Sequence, residues 1–135
     1  VAAWPNHAFP TAAELDSGWH KVHAALRGTL ASKRGRWILA PHPEGACELE
    51  LSGQVDNRLI HAVVDRTFVD GDTRWIVDYK IVEGQEPRAR FLAGQGEKYR
   101  PQLLGYVDLL RLLEPGRTIR AALYFPLFDG WLEVS

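Results

Sequence analysis

The chain has no methionine and a single cysteine, Cys47. One cysteine excludes an intramolecular disulfide and a thiolate-held iron–sulfur cluster, and it suits a reducing, cytoplasmic compartment. Cys47 itself reads as a small apolar filler. No run approaches the roughly 20 apolar residues that a membrane-spanning helix needs, and no signal-peptide pattern opens the chain. An excess of positive charge is also missing. The net charge of −1 argues against passive electrostatic nucleic-acid binding, though not against an enzyme with an acidic site that acts on nucleic acid. The chain starts at Val1 and has no Met anywhere, so the expectation is one part of a larger protein.

What is present suits one globular domain over residues 1–135, with 46% hydrophobic and 24% charged residues to build a core and its surface. Thr11-Ala-Ala-Glu14 has the form of a capping box, so a first helix starts there. Leu15, Trp19, Val22, Leu26 and Leu30 recur at helical spacing and form its expected buried stripe. His20 and His23 lie on this helix one turn apart, with no third metal ligand nearby. Residues 32–35 read as a polar turn, 37–39 as a short apolar segment, and 41–45 as a loop. Residues 48–51 form a strand, and a long hairpin follows, with strands at 58–69 and 74–81. The stretch 83–96 contains Pro87 and three glycines, and reads as a loop with one short helical turn at 90–93. A helix runs over 101–113, with Pro101 at its start, where proline is tolerated, and Glu114-Pro115-Gly116 stops it. Strands at 119–125 and 131–134 flank an Asp129-Gly130 turn. This order predicts an α/β sandwich with a mixed sheet, because the antiparallel hairpin excludes a purely parallel one. Lys33, Arg34 and Arg36 form a short basic run. Arg88, Arg90, Lys98 and Arg100 form a looser one around the loop after the hairpin. Each is either a solvated face or a set of phosphate contacts.

The densest chemistry lies in Arg74-Trp75-Ile76-Val77-Asp78-Tyr79-Lys80. Alternate strand residues share a face, so Asp78 and Lys80 point the same way. Asp70-Gly71-Asp72-Thr73 is a hairpin turn signal. With Gly71-Asp72 as the loop, Asp70 pairs with Thr73 and Asp65 falls opposite Asp78, with Cβ atoms ~5 Å apart. With Asp70-Gly71 as the loop, the two acids become diagonal neighbours on the same face. Two ionised carboxylates at ~4 Å repel by about 4 kcal/mol at an effective dielectric near 20, or roughly three pKa units. A hard divalent cation such as Mg²⁺ resolves that conflict and accepts phosphate oxygens as further ligands. The plainer alternative pairs Asp65 with Arg66 or Arg74, and Asp78 with Lys80, as surface hairpin charges.

Tyr99, Gln102 and Tyr106 line one side of the later helix, flanked by Leu103, Val107, Leu110 and Leu113. Gln102 is therefore expected inside the arc that faces the sheet, where an amide without partners costs roughly 1–3 kcal/mol. Either a helix-to-sheet hydrogen bond satisfies it, or it reaches the carboxylates or a phosphate.

Taken in order, Glu48, Asp65, Asp78-Tyr79-Lys80 and Tyr99-Arg-Pro-Gln102-Leu-Leu-Gly-Tyr106 resemble the RecB-like branch of the PD-(D/E)XK nuclease superfamily. The resemblance is narrower still to the C-terminal nuclease domain of UvrD/Rep-type superfamily 1 helicases. The stretch Gly-Arg-Trp-Ile-Leu-Ala at 35–40, the hairpin, and Leu-Tyr-Phe-Pro-Leu at 123–127 are similar to that group as well, and together they cover the chain from about residue 19. The resemblance implies a restriction-endonuclease-like mixed β-sheet flanked by α-helices. It also implies DNA hydrolysis with Mg²⁺ or Mn²⁺ within a DNA-repair helicase-nuclease, with helicase domains of the same parent chain, and a second subunit, as partners. Carried over by position, Asp65 and Asp78 would be metal ligands and the Tyr79 carbonyl would complete the shell. Lys80 would position the attacking water, and Gln102 and Tyr106 would orient the site or the DNA. Glu48 and Tyr99 would be accessory, with a structural salt bridge as the other reading of Glu48. The chain departs from the pattern in two places. Ile81 stands where Thr or Ser is usual, and none of His7, His20 or His23 sits in the Gly-x-x-x-His setting that many relatives supply from an upstream helix. The alternative is a weak or inactive nuclease-like module for DNA guiding or subunit docking.

Overall fold

The computed structural model describes residues 12–134. Its elements are α1 (Ala12–Ala31), α2 (Lys33–Leu39), β1 (Ala46–Val55), β2 (Arg58–Asp70), β3 (Thr73–Tyr79), α3 (Arg88–Leu113), β4 (Thr118–Phe125) and β5 (Gly130–Glu133). The five strands form one sheet in the order β1-β2-β3-β4-β5. The β1–β2, β2–β3 and β4–β5 pairs are antiparallel, and β3–β4 is parallel. α3 is the crossover that parallel pairing requires. The mixed sheet flanked by helices matches the expected restriction-endonuclease-like α/β class.

Alternation along the strands sorts side chains into two layers. Ala62, Val64, Ile76, Ala121, Leu123 and Phe125 face α3 and meet Leu103, Tyr106, Val107 and Leu110. Phe68, Trp75, Val77, Ala122 and Tyr124 face the other way and enclose Ile38 of α2. Arg66 ties the second layer together by donating to the carbonyls of Ile38 and Ala40, each at 2.9 Å.

Several expectations change. Residues 32–39 are a capped helix rather than a turn and an apolar segment, because Ser32 Oγ accepts the Gly35 N–H at 2.7 Å. α3 begins at Arg88, so Arg88, Arg90, Lys98 and Arg100 lie on a helix and not in a loop. Pro101 sits inside that helix. Packing of Phe91, Leu92 and Tyr99 against the core outweighs the ~3 kcal/mol that an interior proline costs. A Cβ at Gly96 would meet Leu132 at 2.7 Å, so the glycine permits close approach to β5.

The expected buried stripe of α1 faces outward instead, with Trp19, Leu26 and Leu30 at 64%, 55% and 61% exposure and Val22 exposed as well. The helix seats itself through the neighbouring small residues Ala25 and Thr29. Cys47, expected as a core filler, is exposed on β1. The capping box at Thr11 and Glu14, and the side chain of Leu15, lie outside the described residues.

Candidate active site

The β2–β3 hairpin closes with Asp70 opposite Thr73 and Arg66 opposite Val77. The next step sets Asp65 against Asp78, as the Gly71-Asp72 turn requires, and Gly71 supplies the positive φ of 63°. β2 carries a one-residue slip here. Val64 belongs to the α3 layer, yet Thr67, three residues on, pairs with Ile76 of the same layer. Opposite the slip, Glu48 of β1 takes a left-handed φ of 51°. The backbone ladder ends at Arg66, and the Asp65 side chain replaces it by accepting the Tyr79 N–H at 2.9 Å. The irregularity thus turns Asp65 into the α3 side, next to Asp78.

Three charged groups meet at this point. The carboxyls of Asp65 and Asp78 lie close enough to act on each other by charge and hydrogen bonding, and the Lys80 ammonium lies 2.8 Å from Asp78 Oδ2. Burial pushes the Asp65 carboxyl up to about 6, helped by the hydrogen bond and the charge of Asp78. The Tyr79 N–H and Lys80 pull the other way. Lys80 is fixed twice: its backbone N–H donates to the Tyr124 carbonyl at 2.9 Å, and its ammonium sits 3.8 Å above the Tyr99 ring. Gln102 Nε2 donates to the Tyr106 hydroxyl at 2.7 Å. Burial raises the Tyr106 pKa, and the charges of Asp78, Asp65 and Lys80 all act on it.

The surface-pair alternative for Asp65 does not hold. Arg66 serves α2 carbonyls, and Arg74 is engaged with Glu44 and Glu114. The Asp78–Lys80 pair does form, but without hydrogen-bond alignment, and Asp78 Oδ2 is a buried oxygen with no hydrogen-bond donor. Gln102 is exposed at the rim of the site rather than buried under the helix. Glu48 is exposed and makes no ion pair among the described residues. The Tyr79 ring faces the α2 layer, so that residue meets the site through its backbone alone. His23 stacks on Trp19, with ring centroids 6.2 Å apart. The seat that Tyr99 provides for Lys80 was not read from the sequence, although their placement on facing elements hinted at it.

A family model of the PD-(D/E)XK nuclease superfamily matches residues 1–129. The chain belongs to the PD-(D/E)XK nuclease superfamily. The match begins well before residue 19 and includes α1. No match is found among curated proteins. Among the described residues, no helix of this superfamily member is long and apolar enough to cross a membrane.

The donor set fits a hard divalent cation. It offers two carboxylates, one with an oxygen that lacks a hydrogen-bond donor. No group of three or more His, Cys, Asp or Glu gathers among the described residues. Two carboxylates, with further ligands from backbone, water and substrate phosphate, are an ordinary number for Mg²⁺.

Proposed function

We propose that this chain is a Mg²⁺- or Mn²⁺-dependent deoxyribonuclease domain, acting within a DNA-repair helicase-nuclease. The observation that carries the reading is the convergence of Asp65, Asp78 and Lys80, with the buried Asp78 Oδ2 met only by the Lys80 ammonium among the described residues. Asp65, Asp78 and the Tyr79 carbonyl would hold the ion, which when bound acidifies water and neutralises phosphate charge. Lys80 brings a full positive charge next to the carboxylates, where it meets a phosphate oxygen and orients the attacking water. Tyr99 limits the travel of that ammonium. The Gln102–Tyr106 pair offers hydrogen-bonding groups at the rim for the DNA backbone.

With a net charge of −1, the domain grips DNA weakly, and more weakly as salt rises. Helicase domains of the parent chain would raise the effective concentration of the strand. They, or a second subunit, would also cover the exposed stripe of α1. That stripe favours one second reading, a nuclease-like module kept for DNA guiding or docking.

The test measures cleavage of single- and double-stranded DNA with Mg²⁺ and Mn²⁺, for this chain and for a longer one that includes the upstream helix and helicase. Cleavage that is stronger in the longer chain, and at least ~100-fold lower in a folded Asp78→Asn variant, is the expected result. Equal cleavage in Asp78→Asn, or in chelator, would overturn the nuclease reading. No cleavage by the longer chain while its helicase is active would favour the docking module.

A further inference from the structure

A groove of about 340 Å³ runs beside the carboxylates, between the start of β2 and α3. Its walls include Arg58, Ile60, Pro101, Gln102, Gly105 and Tyr106. Tyr106 is the link, because its hydroxyl feels the charges of Asp65, Asp78 and Lys80 while its residue lines the groove. The other end carries a cation. Arg58, Ile60 and Ala62 are alternate residues of β2, and Ala62 belongs to the α3 layer, so Arg58 lies on the groove side. It is exposed, and among the described residues it makes no ion pair.

Gly105 lies in the middle of α3, where glycine costs about 1 kcal/mol relative to alanine. Its φ is not left-handed, and a Cβ there would meet nothing within 4 Å. Neither backbone conformation nor close packing calls for glycine here. The missing side chain does leave the floor of the groove open next to Tyr106. The volume is at the low end of the roughly 300–1,000 Å³ typical of ligand clefts, about the size of one nucleotide unit.

We propose that this groove seats a single DNA strand running away from the carboxylates. Gly105 keeps the channel clear, Gln102 and Tyr106 meet the backbone next to the cleaved bond, and Arg58 takes a phosphate further along. The inference rests on the nuclease reading for its orientation, but its test does not depend on cleavage.

The test is fluorescence anisotropy of a labelled single-stranded oligodeoxynucleotide in chelator, over a salt series, with Arg58→Ala, Gly105→Phe and Gly105→Ala variants. Arg58→Ala is expected to weaken binding about 5-fold and to lower the salt slope by about 0.7, one phosphate contact on a single strand. Gly105→Phe should weaken binding at least as much while melting at or above the parent temperature. Gly105→Ala should melt higher and bind like the parent. Hydrolysis by the parent, with Mn²⁺, of bis(p-nitrophenyl) phosphate, a substrate too small to need the groove, reads the carboxylate site separately. Parent-like strand binding by both Arg58→Ala and folded Gly105→Phe would overturn the groove, as would a parent that binds no strand. Intact groove-dependent binding, with no hydrolysis of either substrate, would uphold the groove and overturn the nuclease reading.

Discussion

β3 carries a buried charge at each end, Arg74 near its start and Asp78 near its close, both 5% exposed. The two are treated in opposite ways. Arg74 is over-supplied with partners: Glu114 at 2.8 Å, Glu44 at 3.2 Å and Thr67 Oγ1 at 3.3 Å. Arg117 stands behind both acids, at 3.0 Å from Glu44 and 2.8 Å from Glu114. Asp78 has another acid and one misaligned lysine beside it, and one of its oxygens lacks a hydrogen-bond donor. A buried charge whose partners are complete holds the fold together. One whose partners are incomplete leaves room for a ligand, and substitutions at the two ends should separate these roles.

The largest difference should appear in stability. Arg74→Ala removes a buried, fully partnered guanidinium and leaves Glu114 and Glu44 to Arg117 alone, and should cost about 3 kcal/mol. Asp78→Asn removes a like-charge conflict, so the metal-free protein should keep its stability or gain about 1 kcal/mol. Urea unfolding of both variants checks this. A loss in Asp78→Asn equal to that in Arg74→Ala would mean that both ends are structural.

Next comes the response to metal. An ion that binds the folded state alone adds about 2.7 kcal/mol at 100 times its dissociation constant. Mn²⁺ should therefore raise the melting temperature of the parent and of a Glu133→Gln surface control alike, and should do so much less in Asp78→Asn. An equal rise in Asp78→Asn would place the ion elsewhere.

A smaller effect comes from pH. The Asp65 carboxyl has a folded pKa of about 6 against an ordinary 3.8, so between those values the folded state holds more protons than the unfolded. Its contribution to stability is fully present below the ordinary value and is lost as pH rises through about 6. Solvent screening of this half-buried group keeps the loss to about 1–2 kcal/mol. Metal-free stability measured from pH 4 to 7 should fall by that amount, and an Asp65→Asn variant should remove the fall. A parent whose stability rises across this window would contradict the raised carboxyl.

Several of these features were legible in the sequence because they depend on local chemistry. Gly71 can take a positive φ, so Asp70-Gly71-Asp72-Thr73 marked the turn, and counting back from it paired Asp65 with Asp78. Ile76, Leu123 and their neighbours marked the strands by alternation. The first half of α3 was not legible, because Pro101, Gly94 and Gly96 argue locally against a helix that tertiary packing sustains. The β2 slip was hidden as well. Val64 and Asp65 follow a regular apolar-polar rhythm, and nothing local shows that the ladder ends between them and Arg66. On α1 the apolar stripe was visible, but a stripe does not say what covers it, and within the described residues it faces outward. Gln102 was misplaced for the same kind of reason, since a helical wheel cannot tell the centre of a buried arc from its rim.

The finest test of the incomplete end concerns Lys80. Its ammonium pairs with Asp78 and acts through its charge on Asp65, and the Tyr99 ring 3.8 Å beneath it is a second contact that restrains it. A cation–π contact of this kind is worth about 1 kcal/mol, or roughly a 5-fold change in rate if it is spent on position. Tyr99→Leu should lower kcat by about that factor and leave KM nearly unchanged if the ring acts through the lysine it touches. Tyr99→Phe keeps the ring face and should restore the rate. A loss shared equally by Tyr99→Phe and Tyr99→Leu would assign the effect to the tyrosine hydroxyl instead, and would remove Tyr99 as the support of Lys80.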